Sequence, residues 1–270
     1  MRLALLSDIH GNALALEAVL ADVAAQGGVD GYWVLGDLVA IGPDPIGVLE
    51  RLAALPNVQA TRGNTDRYVV TGERPFPSLA ETTANPSLIP RFKEVTDNFT
   101  WTQGALAATG WLAWLAALPL EMTMTLPDGT RLLGVHAAPG TDEGHGIRPD
   151  LDEAAQLAVI GVCKADLICS GHTHWPVNRQ VGNKHLVNLG SVSNPFAVDL
   201  RASYVFLNAD EDGYTMQHRR VDYDQTAVLT QLEKVRHPSL EFIARFFRGD
   251  IMTGWLADHL GLDVVTFWEG

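Results

Sequence analysis

The sequence has few cysteines and lacks a long apolar run. Only Cys163 and Cys169 occur among its 270 residues, too few for the disulfide framework of a small secreted domain. No apolar stretch approaches the roughly 18–20 residues that a membrane span requires. The N-terminal apolar run ends at Asp8, too early for a signal peptide. We therefore expect a cytoplasmic protein that makes no use of a membrane.

Basic residues are also scarce. The chain has 19 lysines and arginines against 32 acidic residues, which gives a formal net charge of −13. Such a chain repels a long nucleic acid on average, so we expect no long nucleic acid as a partner. A small anionic substrate remains compatible with this charge if the pocket that binds it is locally positive. The sequence does not indicate an oligomeric state.

Two motifs that identify other hydrolases are missing. The sequence contains neither a Gly-x-x-x-x-Gly-Lys phosphate loop nor a Gly-x-Ser-x-Gly nucleophile elbow. Neither cysteine lies beside a histidine in the sequence. These absences give little support to a phosphate-loop nucleotide hydrolase or to an enzyme with a serine or cysteine nucleophile.

The first sixty residues alternate between strand and helix patterns. Apolar residues 16, 19, 20 and 23 have helical spacing, so 12–25 is predicted as an amphipathic helix. Strands are predicted at 2–7, 32–35 and 58–61, with a second helix over 43–55. This βαβ alternation is typical of a parallel sheet, in which ligands bind beyond the carboxyl ends of the strands.

The rest of the chain is less regular. Residues 71–100 are rich in Pro, Thr and Asn, and we interpret them as a loop or small lid with short helices. The tryptophan-rich stretch 101–118 is interpreted as core packing. Further elements are predicted as a hairpin of 121–125 with 130–135, a helix over 150–162, strands at 166–169, 186–189, 204–207 and 214–220, and helix over 224–247. No pattern places the last twenty or so residues.

Seven metal-binding side chains follow predicted strands, each close to a glycine or another small residue. One such residue alone is ordinary turn or surface chemistry, but all occur together and in order. Carboxylate and amide oxygens with several imidazoles are the ligand mix of a dinuclear transition-metal site. The absence of nearby cysteine thiolates argues against structural zinc. The residues are Asp8, His10, Asp37, Asn64, His136, His172 and His174.

The motifs S-D-I-H-G-N, G-D-L-V, G-N-T-D, V-H-A and G-H-T-H, in this order, resemble those of the calcineurin-like metallophosphoesterase superfamily. The resemblance covers residues 2 to about 195. It implies an α/β fold with mixed sheets in a four-layer αββα sandwich. The chain then divides into a metallophosphoesterase domain at 1–225, with 71–118 as a lid or helical insertion, and a C-terminal helical extension at 226–270.

The resemblance also implies roles for the seven residues. Asp8, His10 and His174 would bind one metal ion. The second ion would be bound by Asn64, His136 and His172, with Asp37 bridging the two. A hydroxide between the ions would attack phosphorus, which makes Asp37, Asn64 and His136 the candidate catalytic residues. Manganese is the expected metal, with iron, zinc, cobalt and nickel as alternatives.

Two departures from the family pattern bear on the substrate. Ile41 stands where related phosphatases carry a phosphate-gripping arginine, although Gly42-Pro43-Asp44-Pro45 resembles the small prokaryotic phosphoesterases. Thr65 stands where many members have a histidine that protonates the leaving group, and a threonine hydroxyl is no useful acid near neutral pH. A leaving group that needs little help would explain this, and Asp66 or His145 are candidate substitute donors.

Three further residues are candidates for binding the substrate. Asn12 would either cap the following helix or steady a phosphate over its N-terminus. Thr65 follows the ligand Asn64 directly. Arg67 would either contact the substrate phosphate or pair with Asp66 or another acid. The Gly190-Ser191-Val192 stretch resembles the loop that closes the site in this family, but we favour the interpretation of an ordinary structural turn.

The favoured hypothesis is a dinuclear metal-dependent phosphoesterase that hydrolyses phosphodiester or nucleotide-type bonds in a small phosphorylated, nucleotide-like substrate. One alternative is a phosphomonoesterase or protein phosphatase of the same superfamily. A second is a catalytically silent module that senses a metal or a nucleotide. A third is a metal hydrolase that acts on amides or lactones.

Overall fold

A computed structural model describes residues 1–75, 77–197 and 199–250 and consists of two five-stranded sheets packed face to face. The strands are β1 (Arg2–Leu6), β2 (Gly31–Leu35), β3 (Val58–Thr61), β4 (Glu121–Thr125), β5 (Arg131–Val135), β6 (Leu167–Ser170), β7 (Val177–Val181), β8 (Lys184–Asn188), β9 (Ala202–Asp210) and β10 (Gly213–Val221). The first sheet has the order β10-β9-β1-β2-β3, with β1, β2 and β3 parallel. The second has the order β4-β5-β6-β8-β7, with β5, β6 and β8 parallel.

The helices lie outside the two sheets or in the connections between strands. They are α1 (Ala13–Ala25), α2 (Pro45–Ala54), α3 (Asn64–Thr71), α4 (Leu79–Ala84), α5 (Ile89–Thr109), α6 (Trp111–Ala116), α7 (Glu153–Ile160), α8 (Gln225–Lys234) and α9 (Leu240–Phe247), and a 3₁₀ turn is formed by Pro86–Leu88. No helix in the described ranges combines the length and apolarity that a membrane crossing needs.

Three buried clusters separate four layers. Alternate residues of β1 point to opposite faces, so Leu3 and Leu5 join Trp33 in the core between the sheets. Ala4 and Leu6 instead pack against α1, α2 and α5 on the outer face of the first sheet. A third cluster joins the second sheet to α7. The αββα sandwich predicted from the sequence is confirmed, as are the parallel first three strands and the hairpin of β4 with β5.

Some predicted elements were wrong. The expectation of a loop with short helices over 71–100 holds only to Leu88, because α5 begins at Ile89 and runs for 21 residues. Its buried residues Val95, Phe99, Thr102 and Leu106 form one continuous stripe along the helix. Strand β7 was missed. The helix predicted over 224–247 is two helices, with Pro238 in the break between them.

Helices α8 and α9 pack over the segment that follows β2. Their apolar cluster contains Val228, Leu232 and Phe242, and the side chain of Ile41 packs against it. Ile41 has a φ of +73°, a conformation that disfavours a β-branched residue, and its N–H donates to Oδ1 of Asn98 at 3.3 Å. The isoleucine therefore anchors the C-terminal helices on the segment that follows β2. The division of the chain at residue 225 remains a proposal, and residues 251–270 lie outside the described ranges.

His237, in the break between α8 and α9, makes the stability of this helix pair sensitive to acid. The ring is 4 % exposed and packs on Trp101 with centroids 4.4 Å apart. Burial lowers the pKa of His237 to about 4, below its unfolded value of about 6.5. The unfolded chain therefore binds the extra proton first, and stability falls as the pH drops from about 6.5 to 4.

Through His237, the wild type should lose roughly 3 kcal/mol of its free energy of unfolding over this pH range. We expect this loss to be absent in His237→Gln. Urea unfolding at several pH values checks this. An equal slope against pH in both proteins would contradict it. His145→Gln, at an exposed histidine, is the control and should keep the wild-type slope.

Candidate metal centre

The seven predicted ligands come from the carboxyl ends of five strands, and the structure brings them together. Asp8 and His10 follow β1, Asp37 follows β2, and Asn64 begins α3 just after β3. The second sheet contributes His136 after β5, and His172 and His174 after β6. The strand ends of both sheets open at the same edge of the sandwich, so ligands far apart in sequence converge there.

Four side chains form a first group. The Nε2 atom of His174 lies 3.1 Å from Oδ1 of Asp8 and 3.1 Å from Nε2 of His10. Nε2 of His10 is 3.7 Å from Oδ2 of Asp37. One ligand atom from each of these four residues lies within 4.8 Å of all the others. This spacing is that of atoms gathered around a single cation.

A second group lies on the other side of Asp37. Oδ1 of Asn64 is 3.0 Å from Nε2 of His136 and 3.0 Å from Nδ1 of His172. Nε2 of His136 is 3.4 Å from Oδ1 of Asp37. Asp37 therefore directs one carboxylate oxygen at each group.

Each imidazole turns its other nitrogen outwards to a backbone carbonyl. Nδ1 of His10 lies 3.0 Å from Ala40 O, Nδ1 of His136 lies 2.8 Å from Leu35 O, and Nδ1 of His174 lies 2.6 Å from Asn194 O. Nε2 of His172 lies 2.9 Å from Gly144 O. A carbonyl accepts only, so in a neutral ring the proton belongs on the outer nitrogen and the inner nitrogen carries a lone pair. Inner lone pairs that face one another need a cation between them, and the donor set fits a divalent metal.

The buried carboxylates of the site favour positive charge beside them. Burial would raise the pKa of the Asp37 carboxyl, but His136 and His10 beside it hold that pKa well below its usual range. Burial would lower the pKa of His136, but the carboxylate of Asp37 raises it to about 10. His10 responds mainly to burial, which lowers its pKa to about 4. The carboxylates thus stay ionised inside the protein and are balanced by protons or by metal ions.

The backbone at the strand ends is held in an uncommon conformation. Left-handed φ values cost free energy for residues with a side chain and are often found at functional sites. Hydrogen bonds compensate here: the N–H of His10 donates to Asp37 O at 2.9 Å, and that of His172 donates to Oδ2 of Asp8 at 3.0 Å. Five of the seven ligands have positive φ: Asp8 (56°), His10 (48°), Asp37 (55°), His172 (69°) and His174 (59°).

The residues suggested for substrate binding are engaged within the protein. Asn12 is fully buried; its Oδ1 accepts from Ala15 N at 3.0 Å as the cap of α1, and its Nδ2 donates to Ser193 Oγ at 3.2 Å. Arg67 pairs with Asp142 at 3.1 Å and with Glu143 at 2.7 Å, rather than with Asp66. Contact of either residue with a substrate stays a prediction, and these contacts favour the structural alternative.

Thr65 and the two substitute proton donors lie in different surroundings. The N–H of Thr65 donates to Oδ1 of Asp37 at 2.9 Å, and its hydroxyl is buried without a hydrogen-bond partner in the described part of the chain. Asp66 is buried and accepts from Leu38 N and Gly63 N, both at 2.9 Å. Burial, with Asp37 nearby, raises the pKa of Asp66 to about 7. His145 is exposed.

Asn188, at the end of β8, is a supporting residue that the sequence analysis did not single out. Its Nδ2 lies 2.7 Å from Gly171 O, 2.9 Å from Thr173 Oγ1 and 3.0 Å from Ile147 O, and its Oδ1 accepts from Gly190 N at 2.9 Å. This buried amide fixes the loop that carries His172 and His174. The available signal was its position, since Asn188 is a further polar residue at a strand end.

We expect Asn188→Leu to lower Mn²⁺ affinity about 10- to 100-fold, because the loop loses its support while all ligands remain. Calorimetric titration of the metal-free protein with Mn²⁺ measures this. Asn178→Leu, on the exposed face of β7, is the control. Unchanged affinity in a folded Asn188→Leu variant would contradict the assigned role.

Comparisons with known proteins identify the family and agree with the fold. The model of the calcineurin-like phosphoesterase superfamily domain matches residues 1–212. An uncharacterized protein of Methanocaldococcus jannaschii is 30 % identical over 253 residues, which covers 87 % of this chain and 93 % of that protein. The crystal structure of a metallophosphoesterase from Sphaerobacter thermophilus is 27 % identical, covers 92 % of this chain and 99 % of its own, and superposes with a TM-score of 0.68.

A shorter similarity links the chain to a nucleotide enzyme. The symmetrical bis(5'-nucleosyl)-tetraphosphatase of Pectobacterium atrosepticum is 39 % identical over 67 residues, only 24 % of each chain. The family model, in contrast, spans more than three quarters of the sequence. The chain therefore belongs to the calcineurin-like phosphoesterase superfamily and is a phosphoric ester hydrolase.

Proposed function

We propose that this protein is a two-metal phosphodiesterase for a small nucleotide-like substrate. The observation that carries the proposal is the position of Asp37, whose two carboxylate oxygens face two separate groups of ligand atoms at 3.7 Å and 3.4 Å. Asp8, His10 and His174 would hold one divalent ion with Asp37. Asn64, His136 and His172 would hold the other.

The chemistry that such a pair of ions supplies when bound is a water molecule of lowered pKa and a clamp on the attacking and leaving oxygens. The protein's part is to hold the ligands rigidly. The backbone carbonyls of Leu35 and Ala40 keep His136 and His10 in the tautomer with an inward lone pair. Asn64 and His136 present their ligand atoms to the same space as Asp37, which supports their proposed place at the reacting phosphate.

The side chains around Thr65 support a phosphodiester as the substrate rather than a phosphomonoester. Protonation of an alkoxide leaving group needs an acid within hydrogen-bond reach. Thr65 cannot supply it, and both oxygens of the Asp66 carboxyl group are held by the backbone N–H groups of Leu38 and Gly63. Diesters and anhydrides with good leaving groups need less protonation. The partial similarity to a tetraphosphatase supports a nucleotide-like substrate in the same way.

The chemical types of the ligand atoms also indicate which metal ions the site can bind. Imidazole, carboxylate and amide oxygen suit manganese, iron, zinc, cobalt or nickel. The free cysteines do not take part, since neither Cys163 nor the buried Cys169 lies among the ligands. We propose manganese as the working metal.

Hydrolysis of bis(p-nitrophenyl) phosphate beside p-nitrophenyl phosphate, with added Mn²⁺, tests the proposal. We expect the diester to have the higher kcat/KM, and EDTA to abolish turnover of both. Higher kcat/KM with the monoester would favour the phosphomonoesterase alternative. Absence of turnover with Mn²⁺ still bound would favour a silent sensing module.

A further inference from the structure

The loop that follows β5 lies against a ligand of the second group. It comprises residues 137–147 and begins directly after the ligand His136. Its Gly144 O lies 2.9 Å from Nε2 of His172, and a Cβ added at Gly146 would lie 3.2 Å from Cδ2 of the same ring. The carbonyl and the close packing fix the direction in which His172 presents its inner nitrogen. The position of this loop therefore sets the position of a metal ligand.

Asp142 joins this loop to α3. Its carboxylate accepts hydrogen bonds from Nε of Arg67 at 3.1 Å and from Nε of Arg62 at 3.0 Å. Asp142 is 5 % exposed, so water and salt screen these charges less than they do at the surface. Removal of one partner from such a buried pair leaves the other charge uncompensated. The ion pairs therefore hold the loop to α3 and to the residues just before it.

A second set of bonds lies beside these ion pairs. Nη2 of Arg67 donates to Oε2 of Glu143 at 2.7 Å, and the Tyr68 hydroxyl donates to Oε1 of the same carboxylate. The Arg67 guanidinium also lies over the Tyr68 ring, 4.8 Å from its centroid. Helix and loop are thus connected by four side chains, which we call the α3–loop contact: Arg67, Tyr68, Asp142 and Glu143.

Tyr68 connects the α3–loop contact to the ligand Asn64. The two residues are one helical turn apart, so their side chains share a face of α3. Burial raises the pKa of Tyr68 and Glu143 raises it further, while a hydrogen bond with the Asn64 side chain lowers it. The phenol oxygen thus lies between the Glu143 carboxylate and the Asn64 amide. Oδ1 of that amide faces the two histidines of the second group, at 3.0 Å from each.

The first ligand group is supported by other parts of the chain. Nδ1 of His10 lies 3.0 Å from Ala40 O, in the segment after β2. Nδ1 of His174 lies 2.6 Å from Asn194 O, beyond β8. Neither carbonyl belongs to α3 or to the loop after β5. A change in the α3–loop contact should therefore affect the second group and spare the first.

We propose that the α3–loop contact positions the ligands of one metal ion, the ion bound by Asn64, His136 and His172. It fixes the separation between α3, which begins with Asn64, and the loop that orients His172. The inference rests on the proposed function, because it requires a second ion. Arg67 and Asp142 are then positioning residues, and Arg67 acts through the ligands rather than by contact with the substrate phosphate.

Asp142→Asn tests this inference. Both oxygens of Asp142 accept from Arg67, so the amide keeps the shape of the side chain but turns an NH₂ group towards a guanidinium. Calorimetric titration of the metal-free protein with Mn²⁺ should show that one of two affinities falls about tenfold and that the other is unchanged. Anomalous diffraction at subsaturating Mn²⁺ identifies the weakened site, where the peak beside Asn64 should lose height relative to the peak beside Asp8.

Two further variants complete the experiment. Asp166→Asn is the matched control, because Asp166 accepts from Nε and Nη2 of Arg131 at 2.8 Å and 2.7 Å at the start of β5, remote from His136. It should keep both Mn²⁺ affinities. Tyr68→Phe removes a single hydroxyl group and keeps the buried ring, so it remains informative if Asp142→Asn does not fold. It should weaken the same ion as Asp142→Asn.

The outcomes separate this inference from the proposed function. Two ions whose affinities neither folded variant changes would contradict the α3–loop contact alone. An equal loss at both sites would also overturn it, since that is the behaviour of residues that merely stabilise the fold. Unchanged Mn²⁺ affinities with a raised KM for the diester would assign Arg67 to the substrate instead. A wild type that binds a single Mn²⁺ ion would contradict the two-metal centre and this inference together.

Discussion

Asp37→Asn is expected to reduce diester hydrolysis about a thousandfold or more, a loss of roughly 4 kcal/mol in transition-state stabilisation. The substitution preserves the shape of the side chain but removes the negative charge and one of the two oxygens that face the ligand groups. Both proposed ions depend on this carboxylate, so their affinities should fall together. Initial rates with bis(p-nitrophenyl) phosphate across a range of Mn²⁺ concentrations measure the effect.

Asp210→Asn is the matched control. Asp210 is exposed at the end of β9, and antiparallel pairing of β9 with β1 places it beyond the start of β1, opposite the site. This variant should retain wild-type rates. Circular dichroism of the Asp37→Asn protein establishes that it is folded. A folded Asp37→Asn variant that keeps more than about a tenth of the activity would contradict the bridging role of Asp37.

Gly63→Ala is expected to lower the free energy of unfolding by about 3 kcal/mol and to disrupt the second ligand group. A Cβ at residue 63 would lie 2.0 Å from Oδ1 of Asp37 and 2.4 Å from its backbone nitrogen. A backbone atom cannot rotate away, so Asp37 and the start of α3 must separate. Gly36 approaches Gly63 from the other side, where an added Cβ would lie 2.7 Å from Gly63 N. The two glycines thus allow β2 and β3 to end in contact.

Gly104→Ala is the control for this substitution. Gly104 lies on α5, and a Cβ there would have no neighbour within 4 Å. Alanine in a helix is favoured over glycine by roughly 0.5–1 kcal/mol, so this variant should be slightly more stable than the wild type. Thermal unfolding of the metal-free proteins compares the two. A Gly63→Ala protein with wild-type thermal stability and Mn²⁺ affinity would show that the close packing is not required.

The parts of the fold that the sequence predicted follow from local patterns. Alternation of apolar runs and helical stripes predicted β1 to β3 with their two helices, and the Pro-Asp-Gly turn predicted the hairpin of β4 and β5. The convergence of the seven ligands could be anticipated because parallel strands end at one edge of a sheet. What the pattern lacked was any measure of distance, so it could not show that Asp37 lies between the two groups.

Other features of the fold depend on tertiary contacts that cannot be predicted from local patterns in a single sequence. The role of Ile41 became visible only with α8 and α9 packed against it. The stripe of α5 was hidden by the Pro, Thr and Asn residues before it, although Pro is compatible with the first turn of a helix. Trp175 and Phe196 are separated by twenty residues, yet their ring centroids lie 5.1 Å apart in the fold.

Anomalous diffraction from crystals grown with Mn²⁺ is the decisive measurement for the two-metal centre, because it locates the ions without reference to turnover. We expect two anomalous peaks, one bounded by Asp8, His10 and His174 and the other by Asn64, His136 and His172, with Asp37 between them. A single peak at saturating Mn²⁺, or a pair that Asp37 does not bridge, would contradict the two-metal centre.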